Sequence, residues 1–275
     1  MRSAVAGHAV TRQRPPWPRS AAPGGLGAIT QTAIVTGSTS GIGAATARAL
    51  AAQGYTVLVT GRDKARGDAV VADIRADGGA AAFLPSDLAA APDVLRSFAS
   101  AATDALGGHV DVLVHNAALC PPVDTPGLSD ADLEATLAVN VRAPHVLTAA
   151  LAPAMAERGS GTIVVVGSWM ASVGSPFVGL YSASKAAAEQ LARSWAAEFG
   201  PRGVRVNAIA PGVTRTPINE AADAALDALT SHTPAGRAGT PDDIARAVTW
   251  VVSDDAAFVH GAVLAIDGGI SGTRL

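Results

Sequence analysis

The chain has a single cysteine, Cys120, so no internal disulfide can form, and a reducing compartment such as the cytoplasm is expected. It also lacks an excess of positive charge. Its 20 basic and 23 acidic residues leave a net charge of −3, which gives neither nucleic acid nor an anionic membrane an electrostatic hold. No apolar run is long enough to span a bilayer: Ala143 to Ala156 is too short and carries His145. The lone cysteine and scattered histidines have no ligand spacing, so no metal site is expected.

Residues 1–28 contain Arg2, Arg12, Arg14 and Arg19 with no acid, and are rich in Pro, Gly and Ala. They read as a disordered extension or as residues upstream of the functional start. An organelle transit segment is the alternative, and the long apolar core of a secretory signal is missing. Residues 29–275 show no repeat and no linker, and 49% hydrophobic content supports one large domain.

Short β-branched runs alternate with Ala-rich helical stretches. The runs are Ala33–Val35, Thr56–Val59, Ala81–Leu84, Val110–Val114, Thr162–Val166, Val204–Ile209 and Val263–Ile266. That alternation predicts an α/β fold, a doubly wound parallel sheet of about seven strands of the Rossmann kind. The first run leads into Thr36-Gly-Ser-Thr-Ser-Gly-Ile-Gly43 and then a helical stretch, Ala44–Gln53. Glycines between strand and helix permit a tight turn and close approach of a pyrophosphate to the helix N-terminus. No Lys-Ser/Thr follows them, which excludes a P-loop.

A hydroxyl, a phenol and an amine converge further along. Ser168 stands just past the strand Ile163–Val166, and Tyr181 and Lys185 lie one turn apart on one face of a helix predicted over Tyr181–Phe199. An ammonium beside a phenol favours the phenolate and should lower a pKa that is about 10 unperturbed. Alone, Tyr and Lys at this spacing are more often a surface pair.

Taken together, the motifs resemble those of the short-chain dehydrogenase/reductase family in its single-domain form, from Thr32 to about Gly269. The family's T-G-x-x-x-G-I-G turn is matched by Thr36 to Gly43, its Y-x-x-x-K by Tyr181 and Lys185, and its serine thirteen places before the tyrosine by Ser168. The resemblance implies a catalytic set of Asn140, Ser168, Tyr181 and Lys185. It also implies cofactor contacts from Gly37, Ser38, Thr39, Ser40, Gly41 and Ile42, from Asp87 and Leu88, from Asn116 and Ala117, from Tyr181 and Lys185, and from Pro211, Gly212, Thr214 and Thr216. His115 and Ala118 depart from the family's N-N-A-G, and His115 is expected to be a packed strand-end residue. Asp87 has a competing use as a helix cap.

Where NAD-binding folds place a ribose-binding acid after the second strand, this chain has Gly61 and then Arg62. Arg62, assisted by Ser38 and Thr60, favours NADP(H). If Arg62 is a solvated loop residue and Asp63 takes the acid's part, NAD(H) remains possible. Pro144 cannot donate to the carbonyl of Asn140. That carbonyl is thus free to hold a water leading from Lys185, or the proline merely kinks a helix that the capping sequence Ser129-Asp-Ala-Asp132 should start. Pro217 to Thr233 resembles a lid. The implied activity is hydride exchange between nicotinamide and a ketone or secondary alcohol, with 3-oxoacyl-carrier-protein reductases among the relatives that share the segment after the lid. Trp169, Met170, Phe177, Pro121 and Pro122 are candidates for an apolar substrate pocket or for core. A homo-oligomer, dimer or tetramer, is implied. Leu191, Trp195 and Phe199 serve either that interface or the internal core. The rival reading is a non-catalytic dinucleotide sensor or scaffold subunit on the same fold.

Overall fold

The structure is a computed structural model that describes residues 30–273. The expectation for residues 1–28 lies outside them. Seven strands, β1 (Thr32–Val35), β2 (Thr56–Gly61), β3 (Ala80–Pro85), β4 (Val112–His115), β5 (Gly161–Val166), β6 (Val204–Pro211) and β7 (Val263–Ile266), pair in parallel in the order β3-β2-β1-β4-β5-β6-β7. The chain runs outward from β1 to β3 and then returns to β4 on the other side of β1. The crossovers there lead to opposite faces, and a crevice opens at the strands' C-terminal ends.

The described residues form the α-helices α1 (Gly41–Ala52), α2 (Lys64–Ala76), α3 (Pro92–Ala105), α4 (Asp130–Leu137), α5 (Ala143–Arg158), α6 (Gly179–Phe199), α7 (Asp223–Thr230) and α8 (Pro241–Val252), which flank the sheet on both faces apart from α4 and α7 at its rim. Alternate strand residues enter different cores. Leu113 packs with Leu147, Met155 and Trp195 from α5 and α6, whereas Val112 and Val114 pack with Leu50, Ile244 and Val248 from α1 and α8. Both faces are buried, which is why the strands read as continuous apolar runs. Trp195 and Phe199 are buried in the first core and Leu191 packs against it, so the apolar stripe of α6 serves the chain's own interior.

Two boundaries differ from expectation. β4 begins at Val112 because the Asp111 carboxylate accepts the Thr32 N–H at 2.9 Å, replacing a ladder bond with a side-chain one. Ser129 caps α4 as predicted, its hydroxyl accepting the Asp132 N–H at 3.1 Å. The helix is nevertheless divided: Ala138–Arg142 form a π-helical turn before α5, closed by the Ala143 N–H on the Ala138 carbonyl. Pro144 has no N–H for the Asn140 carbonyl, and the hydrogen-bond ladder widens there.

Candidate active site

β5 ends at Val166 and hands the chain to Gly167, whose N–H donates to the Ile209 carbonyl at 2.7 Å, so Ser168 is held at the sheet's C-terminal edge. The buried Ser168 hydroxyl accepts the Met170 N–H at 3.2 Å and also interacts with the Tyr181 phenol. α6 carries Tyr181 and Lys185 to the same edge. The Lys185 ammonium lies 5.7 Å from the Tyr181 ring centre and donates to the Val166 carbonyl at 2.6 Å. Asn140 sits in the π turn and spends its amide on scaffolding. Its oxygen accepts the Leu119 N–H at 2.8 Å, and its nitrogen donates to the Leu119 carbonyl and the Ser184 hydroxyl, each at 2.9 Å. Ser184 in turn donates to the Tyr181 carbonyl at 2.7 Å. Asn140 thereby ties the loop after β4 to the first turn of α6.

The electrostatics depart from the expectation for Tyr181. Burial pushes its pKa up to about 12, the Ser168 hydroxyl opposing, and Lys185 does not pull it down. Burial also brings Lys185 down to about 8. Desolvation of the charged form is the largest cause of both shifts.

The glycine turn forms the second wall. Gly37 has φ +64° and lies against Ala117, and Gly43 is close-packed: a Cβ there would stand 2.4 Å from the Gly37 carbonyl oxygen and 2.5 Å from Asn116 Nδ2. Asn116 Nδ2 donates to the carbonyls of Thr36 at 2.9 Å and Gly37 at 3.1 Å, so its side chain braces the turn. At the start of α1, Ser40 makes no side-chain cap, and Thr39, Ser40, Gly41 and Ile42 are partly accessible. The helix N-terminus thus keeps donors for an anion. From the other end of the chain Thr216 faces this turn: a Cβ on Gly41 would lie 3.4 Å from its Cγ2. Asn219 holds that segment, accepting the Thr216 N–H at 2.8 Å and donating to the Thr214 carbonyl at 2.9 Å. Pro211 ends β6, Gly212 follows it against Asp267, and the buried Thr214 hydroxyl donates to the Gly212 carbonyl at 3.0 Å. A narrow, glycine-floored crevice with an open helix N-terminus fits a dinucleotide's pyrophosphate.

Two expected hydroxyl contacts are corrected. Ser38 and Thr60 are fully buried. Ser38 Oγ donates to the Val35 carbonyl at 2.6 Å and accepts the Thr60 N–H at 2.9 Å, so neither hydroxyl is offered to a phosphate. Arg62 is exposed just past β2. Asp63 caps α2, accepting the Arg66 N–H at 3.0 Å and pairing with its guanidinium at 2.7 Å, which holds the carboxyl below its ordinary range. Asp87 is exposed and accepts the Ala89 N–H at 3.0 Å in a turn rather than capping a helix, while Leu88 is buried. His115 is buried as expected, its Nε2 2.9 Å from the Thr148 hydroxyl.

Beside Tyr181 lies a hollow of about 320 Å³ lined by Pro121, Val123, Leu128, Val178 and Leu180. Trp169 and Met170 are half-buried in the short turn after Ser168, and Phe177 is exposed. The stretch expected to act as a lid folds as a short 3-10 helix, Pro217–Ala222, followed by α7, and Arg215 just before it pairs with Asp223 at 3.0 Å and with Asp227 on α7. Glu189, a buried carboxylate one turn beyond Lys185, stands outside the motifs, and its i+4 spacing from Lys185 is the sequence signal that marks it.

A family model described as enoyl-(acyl carrier protein) reductase matches residues 37–271. The chain belongs to the short-chain dehydrogenase/reductase family. This short-chain dehydrogenase/reductase is 38% identical over 250 residues to an L-rhamnose 1-dehydrogenase (NAD(P)(+)) of Azotobacter vinelandii, covering 88% of this chain and 97% of the relative. It is 37% identical to a D-threitol dehydrogenase of Mycolicibacterium smegmatis, covering 87% and 92%. Among solved structures, a short chain dehydrogenase from Burkholderia cenocepacia in complex with NADP superposes with a TM-score of 0.81 at 38% identity, covering 88% and 98%. Among the described residues no helix is long and apolar enough to cross a membrane.

Proposed function

We propose that this chain is a reversible oxidoreductase acting on a ketone and its secondary alcohol, with NADP(H) preferred and Tyr181 moving the proton. The observation that carries the reading is the convergence of Ser168, Tyr181 and Lys185 at the end of β5, beside the crevice floored by Gly37, Gly41 and Gly43. The nicotinamide cofactor, when bound, supplies or accepts the hydride. Tyr181, with its pKa raised to about 12, is protonated at neutral pH and fit to donate to a carbonyl oxygen in reduction. Ser168 donates to the developing oxyanion, a contact of about 3 kcal/mol in the transition state. Lys185 binds ribose hydroxyls and returns the proton to Tyr181. The Asn140 carbonyl, without a donor from Pro144, orders the water behind Lys185.

Arg62 supports the cofactor preference. Position 61 carries no acid, since a Cβ there would lie 2.7 Å from Thr39 Cγ2 and displace that side chain, and Asp63 is engaged as the cap of α2. An exposed guanidinium is left to receive a 2′-phosphate, assisted by the open turn at Thr39 and Ser40. Thr216, Gly212 and Pro211 would hold the nicotinamide half of a bound cofactor, and Asp87, Leu88 and Ala117 its adenosine side. The relatives named for L-rhamnose and D-threitol favour a small polyhydroxylated substrate. A cytoplasmic homo-oligomer completes the proposal.

The test is absorbance of reduced nicotinamide, with NADPH and NADH in turn, against sugars, polyols, ketones and β-ketoacyl thioesters. Turnover that Tyr181→Phe abolishes, with dinucleotide affinity kept, is the expected result. Tight binding without turnover across the panel would favour a dinucleotide sensor instead.

A further inference from the structure

Two buried ionisable groups on successive turns of α6 grip the exit of β5. Lys185 Nζ donates to the Val166 carbonyl at 2.6 Å, and Glu189 Oε1 accepts the Ser168 N–H at 3.2 Å. Between these contacts Gly167 has no room for a side chain, since a Cβ there would stand 2.3 Å from Glu189 Oε1. Glu189 is 7% exposed and Lys185 4%. A carboxylate buried in a helix face costs stability unless a donor and a counter-charge receive it. Here it receives one backbone donor, from the residue whose hydroxyl faces the tyrosine.

Burial raises the Glu189 carboxyl, and the Ser168 N–H, Arg193 and Lys185 oppose it; Lys185, four residues back on the same helix face and likewise buried, is the cation on its inner side. On α6, Arg193 is the other cation near the carboxylate, and Tyr181 lies beyond Lys185. From β4 and the loop after it, His115 and Cys120 face Lys185. Burial pushes His115 down to about 3 and the Cys120 thiol up, so both are neutral near pH 7. Glu189 acts on Lys185 in the direction that keeps it protonated, against burial, and it also helps to raise Tyr181.

We propose that Glu189 is a positioning residue of the proton-transfer site: its carboxylate fixes the Ser168 backbone against α6 and is the counter-charge of the Lys185 ammonium. This inference rests on the roles proposed above for Ser168, Tyr181 and Lys185. It makes the separation between the hydroxyl and the phenol a property of one brace between β5 and α6, with Gly167 as the space that the brace requires.

The chain's lysines are Lys64 and Lys185, so carbon-13 labelling of lysine gives two signals and reads Lys185 without turnover. In Glu189→Gln the amide oxygen still accepts the Ser168 N–H and the charge is gone. The Lys185 titration should move to lower pH from its starting value of about 8, carrying the matching limb of the kcat/KM profile with it, while dinucleotide affinity and the thermal midpoint hold. In Glu189→Ala the Ser168 N–H loses its acceptor, and kcat should fall by about tenfold or more with KM little changed. A Lys185 titration unmoved in the Gln variant overturns the proposal, even if the Ala variant is slow, because any displaced core residue slows an enzyme. If Tyr181→Phe turns over like the unaltered protein, the proposed mechanism fails, and the lysine titration still decides the part played by Glu189.

Discussion

His115 links one side chain to the stability of the whole chain. Burial beside Thr148 and 5.9 Å from the Trp195 ring holds it neutral, with its pKa pushed down to about 3 from 6.5. The unfolded chain takes up this proton below pH 6.5 and the folded chain refuses it until about pH 3. The contribution of His115 is therefore complete above pH 6.5 and drains away as pH falls through that window, on the order of a few kcal/mol in all. Thermal unfolding from pH 7 to 4 should show a shallower loss of midpoint in His115→Asn than in the unaltered protein. The same residue scale holds what the sequence did not disclose. Tyr181 and Lys185 were legible as a pair from their spacing, yet the direction of the Tyr181 shift depends on how deeply the phenol is buried, which spacing does not encode. Ser38 illustrates the same limit: a hydroxyl in a glycine turn reads alike whether it faces a phosphate or, as here, the Val35 carbonyl.

At the scale of elements, the turn between β1 and α1 and the exit of β2 divide the cofactor between them. Gly43→Ala would drive a Cβ into the Gly37 carbonyl and the Asn116 amide, both fixed by hydrogen bonds, so the turn must open. We expect about 1–3 kcal/mol of lost stability together with weakened dinucleotide binding, measured by thermal unfolding and fluorescence titration. Arg62→Ala should leave NADH binding alone and weaken NADPH by about 10- to 100-fold, the worth of charge-assisted hydrogen bonds to one phosphate. Equal losses for both cofactors would place the phosphate elsewhere. The strands were legible because both their faces are buried, which yields unbroken β-branched runs such as Ile163 to Val166. The π turn at Ala138–Arg142 was not. Pro144 announced a missing donor, but whether the ladder kinks or widens is decided by Asn140, whose amide is anchored to Leu119 and Ser184 on other elements.

For the molecule as a whole, two exposed aromatics lie on the segments that lead into β7, at one end of the sheet. β7 pairs only with β6 among the described residues, Trp250 on α8 is 44% exposed, and Phe258 is fully exposed. An open strand edge beside such residues favours association with a second copy. Light scattering should give a mass that is a multiple of 27.3 kDa, and Phe258→Asp should shift it towards the monomer. The β6–β7 side of the sheet is also the last to be made. Synthesis releases the chain from its N-terminus, so the glycine turn and the first five strands emerge while Thr216 is still to be made. Until β6 docks on β5 and carries Thr216 across to Gly41, the crevice has one wall and the edge of β5 lies bare. Affinity for a dinucleotide therefore arrives with the last third of the chain, and a nascent chain halted before β6 is both blind to its ligand and the form most prone to aggregate.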